Sequence, residues 1–598
     1  MEEASTVVYF FVRPSKIDTF ATLPENHCPV SLLKMRIYGL AFVILLLVCQ
    51  AQVCVSQSTF LPVNDDVYHL IERYELKMGK MSSTFHGGVK PFERKAVMEF
   101  LDEVETDDPN LNDRDEANFQ QLRRDSWEWT RDTSNVFAGR FQRLNRNGWP
   151  KSWWAHPNDL FSHHTDEFNI HVNFITNNFL ARDNTLDDMV YFSGRGAELR
   201  GTINKKLGFY TMITDNQGYF PGYVQEYAQR LNFPGEGLTK ISAKNHADFF
   251  SARGYISFNP LKNINVQFGH DKNFIGNGFR SLLLSDFSAP YMFLKLNTRI
   301  GRFHYTNLWS SMINNQDSTY GDLLRKKKYS AMHHLSVNIT DRLNIGIFEA
   351  EVFTRDSTGG GFDINYLNPV IFYRFVESYL GSSDNALLGL DFRWIPARST
   401  SIYGQFMIDE LRTKELFDGK NSWTRKFAFQ LGAKRVDVLN IPNLDLQVEY
   451  NIVLPYTYSH RDGGRNYMHY KQPLAHPLEA NFYEILGILR YQLSRKLTLY
   501  GVTMFSRKGL DLEERNYGGD LTRDYETRYS DTGNVVTQGL LQKINLFDLR
   551  LSYMLAQNLY IDYRMMNRRV AVQRQDDRQT NLFSFGIRYH LPYRQQIF

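Results

Sequence analysis

The strongest constraint on this chain is a grammar that runs from Phe168 to His590. Short stretches alternate residue by residue between apolar and polar side chains, and two kinds of connector separate them. In "FNIHVNFI", Phe168, Ile170, Val172 and Phe174 share one face and Asn169, His171 and Asn173 the other. "LDLQVEYNIV" (Leu444 to Val453) and "LFSFGIRYH" (Leu582 to His590) follow the same rule. A period of two marks strands whose two faces meet different surroundings. Eight connectors are short and built from turn-forming Pro, Asn, Asp and Gly: Asn204–Gly208, Asn259–Asn263, Arg299–Phe303, Thr340–Asn344, Ile395–Ser399, Ile441–Asp445, Leu493–Leu497 and Leu555–Leu559. Eight hairpins give 16 strands, and the first (168–175) and last (582–590) bring the count to 18.

The other connectors are long and polar: 214–250, 270–290, 354–385, 454–482 and 506–540. Short turns on one side and long loops on the other is the asymmetry of an outer-membrane barrel. The expected fold is therefore an all-β transmembrane barrel of about 18 antiparallel strands, with both termini on the short-turn, periplasmic side. A soluble β-propeller would need blade repeats, and none is found. A sandwich would share the alternation but not the turn asymmetry.

Composition agrees. Mean hydropathy is −0.42, too polar for a helical membrane protein, and aromatics reach 14%. Strands and interfacial girdles both favour aromatics. A net charge of +4 leaves no broad cationic footprint for nucleic acid. The one long apolar run, Met35 to Gln57, has Lys34 and Arg36 at its start and a core from Ile37 to Val48. It reads as a secretory signal peptide over 35–56, cleaved after Ser56 or, alternatively, Ala51. Residues 1–34 then read as a non-native upstream extension, with Met35 as the start. Val48 and Val53 before Cys49 and Cys54 do not fit a lipoprotein signal. All three cysteines (Cys28, Cys49, Cys54) precede the cleavage point, so disulfides and thiolate metal sites are not expected.

Residues 57–135 read as a small periplasmic helical bundle that leans on something larger. Val67, Leu70, Ile71 and Tyr74 share one face, as do Val97, Phe100, Leu101 and Val104, and a third helix begins in "LNDRDEANFQQLRRDSWEW". A linker at 136–165 leads to the barrel at 166–598. Phe598 offers the terminal aromatic that such barrels use in assembly, although Pro592 interrupts the alternation before it.

Two outward loops carry the functional candidates. In Gly269–Thr298, Asn273, Asn277 and Arg280 are suited to hydroxyls or carboxylates, and Gly276 and Gly278 permit tight backbone. In "PYTYSHRDGGRNYMHYKQPLAHP", Tyr456, Tyr458, Tyr467 and Tyr470 offer flat faces to sugar C–H groups and hydroxyls to their rims. Arg461, Arg465 and Lys471 add attraction for acidic sugars, and His460, His469 and His476 complete the candidate polysaccharide-binding set. The alternative for both loops is inward packing as a plug, with histidine and tyrosine as satisfied network members.

Other chemistries fit less well. The spacings among His460, His469 and His476, with Asp462 nearby, match no compact zinc motif, and His163–Glu167 is equally weak. Ser459–His460 and His270–Asp271 are adjacent pairs that point to opposite sides of an extended chain, and no G-x-S-x-G is present. No catalytic site, metal or cofactor is expected. A passive channel lined by Asn169, Asp445 and Glu449 is a further alternative, with inward loops or the bundle able to close it.

Both loops resemble the signature segments of the Wzi-type capsule assembly family and related gliding motility outer-membrane proteins. The order of signal peptide, helices and long barrel is similar too. The resemblance implies an 18-stranded barrel with a periplasmic bundle, and a lectin-like role in attaching capsular or extracellular polysaccharide. In the gliding relatives it implies a surface part in motility or adhesion. Outer-membrane lipid and an envelope partner on the N-terminal helices are the other expected contacts. Relatives tend to carry a cation before "PYTYSH", where this chain has Leu454.

Overall fold

The computed structural model describes residues 57–598 except 64–65, 108–109, 131–152, 157, 315–324, 356–360, 371, 410–418 and 595–596. The signal peptide, the upstream extension and positions 136–152 of the linker lie outside the described residues.

Eighteen long strands close into one antiparallel barrel. In chain order they are β1 Phe168–Asp183, β2 Val190–Ile203, β3 Leu207–Tyr219, β4 His246–Leu261, β5 Ile264–Asp271 and β6 Tyr291–Ile300. Next come β7 Phe303–Ile313, β8 Lys327–Thr340, β9 Leu343–Phe353, β10 Asn385–Ala397, β11 Thr400–Asp409 and β12 Lys426–Arg435. The last six are β13 Leu444–Val453, β14 Phe482–Gln492, β15 Leu497–Leu510, β16 Leu540–Ala556, β17 Leu559–Val572 and β18 Arg578–Tyr589. β18 pairs with β1, Tyr589 opposite Thr176 and Leu582 opposite Asp183, which removes the sheet's edges. All eight expected turns join hairpins, and β1 is eight residues longer than the expected first strand.

The barrel is apolar outside and polar inside. On β13, Leu446 and Val448 are 37% and 45% exposed, while Asp445, Glu449 and Asn451 are buried. Phe174, Phe250, Phe268 and Phe585 extend the exposed belt around the wall. Large apolar side chains left in contact with the surroundings all round a closed sheet mark a surface solvated by lipid.

The helices are α1 Val67–Met78, α2 Arg94–Asp107 and α3 Asp113–Asp125 in the N-terminal region, with α4 Gly222–Leu231 and α5 Tyr373–Leu380 in the long loops. α3 starts at a capping box, the Asn112 side chain accepting from Arg114 and Asp115 amides while Asp115 reaches back. α1 ends at Gly79, whose φ of 72° suits glycine. Ile71, Tyr74, Val97, Phe100, Leu101 and Val104 are buried together, as their spacing predicts.

The bundle does not hang below the barrel; its polar face enters the lumen at the short-turn end. Arg73 on α1 bonds Asp115 at 2.8 Å, Asp437 at 2.6 Å and Asp445 of β13 at 2.5 Å. Glu72 meets Lys434 of β12 at 2.6 Å, and Glu75 meets Arg393 of β10 at 2.5 Å. Backbone bonds from Met81 to Asp341 and from Ser399 to Leu76 tie it to two short turns. Val89–Lys90 then pairs antiparallel with Phe274–Ile275, a segment of the loop between β5 and β6. Asp445, expected as channel lining, is thus one of the bundle's anchors.

The segment after β18 corrects the expectation for Phe598. Pro592 has no N–H for the ladder, and the chain turns back into the lumen. Arg280 donates to the Ile597 carbonyl at 2.7 Å, and the Phe598 ring packs 4.6 Å from Tyr227 and 5.6 Å from Tyr223 of α4. Outside the wall, α5 and Tyr366 cover Trp309, Ala331 and Phe353, leaving Phe375 and Tyr379 67% and 87% exposed beside the lipid-facing belt.

Removing Arg73 takes a guanidinium from three carboxylates and leaves Lys77 on Asp115 and Asp437 and His69 on Asp445. Arg73→Ala is expected to weaken bundle docking by about 3–5 kcal/mol. Hydrogen exchange checks this as lost protection in α1 and α3 with the barrel strands still protected. Lys95→Ala, on the more open pair with Glu99, is expected to change protection by less than about 0.5 kcal/mol.

Candidate functional site

The long connectors project from the opposite end, and the third and seventh of them, loop 3 (272–290) and loop 7 (454–481), fold inward. Loop 3 is held by two lumen-facing carboxylates. Glu449 of β13 accepts from the Phe279 amide at 2.8 Å, the Arg280 amide at 3.1 Å, the Tyr403 hydroxyl at 2.9 Å and Asn451 at 2.9 Å. Glu484 of β14 accepts from Arg280 at 3.1 Å, Asn451 at 3.0 Å and His476 of loop 7 at 2.7 Å. Gln405 of β11 accepts from the Leu282 amide and donates to the Ile275 carbonyl.

This approach explains both glycines. Gly276 has a φ of 151°, a conformation that favours glycine. A Cβ on Gly278 would lie 2.5 Å from Glu449 Oε2.

The thirteen sequence candidates divide sharply. Asn273, Asn277 and Arg280 are buried in the lumen, with Asn273 accepting from Lys295 and the Asn277 carbonyl from Lys434. The rings of loop 7 are buried too. Tyr456 donates to the Asn516 carbonyl at 2.8 Å, Tyr458 to Leu282 at 2.7 Å and Tyr467 to Leu283 at 2.7 Å. Tyr458 and Tyr467 stack at 5.8 Å. Tyr456 and Tyr458 sit at φ 65° and 71°, an uncommon backbone for non-glycine residues. Burial pushes the Tyr456 hydroxyl up to about 12.

His460 accepts from the Asp462 amide, and His469 bridges the Ile313 amide and the Pro290 carbonyl. Burial pushes the His460 imidazole down to about 4 and that of His469 down to about 3. His476 is wholly buried against Glu484. The expected ring-rich binding face is thus the underside of a plug. A tyrosine whose hydroxyl must find a partner is as well served by a loop carbonyl as by a sugar.

Four candidates reach the outside. Arg461 is exposed and, with Arg465, bonds Ser383 of the loop between β9 and β10. Tyr470 and Lys471 are half-buried, at φ 50° and 59°. Lys471 lines a cavity of about 250 Å³ at the long-loop end, together with Arg230, Asn314, Lys328, Asn466 and Thr522. Arg230 pairs with Glu479 at 2.6 Å. Lys328 donates only to the carbonyl and side-chain oxygens of Asn466, both at 2.9 Å. Among the described residues neither Lys328 nor Lys471 has a carboxylate within ion-pair distance, while Arg230 is paired.

Sequence reasoning found Lys471 and missed the rest, because they come from α4, β8 and three different loops. The basic run Arg325–Lys328 was the available signal. Leu454 is half-buried at the start of loop 7 and does not line this cavity.

Ser459 donates to the Tyr456 carbonyl, away from the His460 ring. Among the described residues no group of three or more His, Cys, Asp or Glu is placed to hold a metal ion.

No family model matches the sequence, and no curated protein matches it. Among solved structures, the fold is similar to that of Wzi, an outer-membrane protein of Escherichia coli described as a carbohydrate-binding β-barrel involved in group 1 capsule assembly. The TM-score is 0.53 at 11% identity, over 90% of this chain and 100% of that one. Pseudomonas aeruginosa OprD follows at a TM-score of 0.40 and 12% identity, over 70% of this chain and 94% of that one. The chain is an outer-membrane β-barrel.

Loop 7 packing is expected to weaken as pH falls. The folded His460 and His469 values lie below their ordinary 6.5, so the unfolded loop takes protons first. The stability these residues contribute is complete above about pH 6.5 and is lost as pH falls toward their folded values of about 4 and 3. Amide exchange in loop 7, corrected for intrinsic rate, is expected to quicken between about pH 7 and about pH 4.5. His469→Gln is expected to shrink that dependence.

Proposed function

We propose that the long-loop end of this barrel holds an acidic extracellular or capsular polysaccharide at the cell surface. The observation that carries the reading is the cavity lined by Arg230, Lys328 and Lys471 with Asn314, Asn466 and Thr522 around them. Two of its three cations lack a carboxylate partner among the described residues, and the amides and hydroxyl suit sugar hydroxyls. Long loops face outward in outer-membrane barrels, which puts the cavity where a capsule lies. The likeness in fold to Wzi, described as carbohydrate-binding and involved in capsule assembly, supports the same reading.

The buried tyrosines act indirectly here, by fixing loop 7 so that Lys471 and Asn466 present at the rim. A Tyr456→Ala/Tyr458→Ala pair would therefore disturb the loop rather than remove a sugar contact. The sharper test is Lys471→Glu. Purified barrel in detergent is expected to retain alginate, a polyuronate, in preference to neutral dextran, and Lys471→Glu is expected to weaken alginate binding about tenfold, or about 1.4 kcal/mol. Equal retention of dextran, or full binding by Lys471→Glu, contradicts the assignment.

A further inference from the structure

A second cationic site lies at the other end of the lumen, between the helical bundle and the wall formed by β14–β18. A cavity of about 170 Å³ there is lined by Arg490, Tyr500, Arg550, Tyr560 and Arg588 of the wall and by Asp66 beside α1. A neighbouring space of about 300 Å³ shares Asp66, Arg490 and Tyr500 with it.

Among the described residues the three wall arginines are unevenly paired. Arg588 is bonded to Asp562 at 2.7 Å and reaches Asp66 at 3.3 Å. Arg550 has Asp66 at the long distance of 3.5 Å and lies over the Tyr500 and Tyr593 rings. It is only 4% exposed, and among the described residues its Nε and Nη1 have no hydrogen-bond partner. Arg490 lies over the other side of the Tyr500 contact, at 5.1 Å, with a single bond of 3.4 Å to Gln447. Arg588 is thus answered by Asp562, the half-exposed Asp66 is shared between Arg588 and Arg550, and among the described residues Arg490 has no carboxylate within ion-pair distance.

A buried guanidinium with two unmet donors is costly unless a partner fills the space. Arginine's fixed fork favours planar or tetrahedral oxyanions. Exposed Arg495 and Lys496, in the turn between β14 and β15, also line the cavity and give anions an attractive approach from the short-turn end.

We propose that this cavity binds a small oxyanion-bearing solute, its carboxylate, sulfate or phosphate group held by Arg550 and Arg490 and its body against Tyr500 and Tyr560. The site is remote from the long-loop cavity and does not rest on the proposed function.

The experiment is isothermal titration of the folded, detergent-solubilised barrel with sodium sulfate, with sodium glucuronate and with glucose, at ionic strength held constant by chloride. One saturable site for sulfate or glucuronate, and none for glucose, is expected. Saturation by both makes it a site for sugar acids as well as inorganic anions, and saturation by sulfate alone confines it to the latter; either supports the proposal. Arg550→Gln is expected to raise Kd at least about tenfold, while Lys471→Glu leaves it unchanged. If Arg550→Gln does not fold into a heat-modifiable barrel, Arg490→Gln takes its place with the same expectation. The proposal is overturned by the lack of a saturable response to either anion, by equal binding of glucose, or by unchanged Kd in the folded arginine variant.

Discussion

Two buried carboxylates in the middle of the lumen, Glu449 and Glu484, set the rest of the structure. Each is wholly buried and each is met from several directions: by backbone amides of loop 3, by Arg280, by Asn451, and by Tyr403 or His476. Buried charge is tolerated only when its hydrogen-bonding capacity is filled, and here the filling comes from two loops that start far apart in the chain. Glu449 fixes the tip of loop 3, Glu484 fixes Arg280 and His476, and His476 belongs to loop 7. Arg280 then reaches the carbonyl of Ile597, so the segment after β18 is held by the same group. The approach is close enough that Gly278 admits no side chain, since a Cβ there would lie 2.5 Å from Glu449 Oε2.

The consequence is a lumen filled by protein. The bundle enters from the short-turn end, loop 3 meets it through the Val89–Lys90 pairing, and loop 7 lies above with Tyr458 and Tyr467 bonded to loop 3 carbonyls. A barrel of 18 strands has room for a water-filled channel, but Asp445 is bonded to the bundle and Glu449 to loop 3. Chemistry is left to the two ends. The long-loop end carries Lys328 and Lys471 beside asparagine and threonine, and the short-turn end carries Arg490 and Arg550 beside tyrosine.

Much of the wall was legible in the sequence. Alternation places Leu446 and Val448 toward lipid and Asp445 and Glu449 inward, and turn chemistry counts the hairpins, because both signals are local. The contents of the barrel were not legible. A lumen lined by Asn451, Glu449 and Gln430 reads the same whether water or a folded loop occupies it. Tyr456, Tyr458 and Tyr467 likewise read as a sugar platform or as plug residues, since a phenol needs one flat contact and one hydrogen bond in either setting. Only the long-range pairing to Asn516, Leu282 and Leu283 decides between them, and no periodicity reports it. The cationic cavity was hidden for a related reason: Arg230, Lys328 and Lys471 lie on three separate segments, and only Lys471 stood in a stretch already singled out by composition.

The central claim is that the Glu449–Arg280–Glu484 clasp keeps the lumen closed. Single-channel recording in planar lipid bilayers tests it most directly, comparing the native chain with Glu449→Ala/Glu484→Ala. The structure predicts no steady conductance from the native barrel and frequent openings from the double variant, whose loops 3 and 7 have lost their shared anchor. A large ohmic conductance from the native chain, unchanged in the variant, would contradict it.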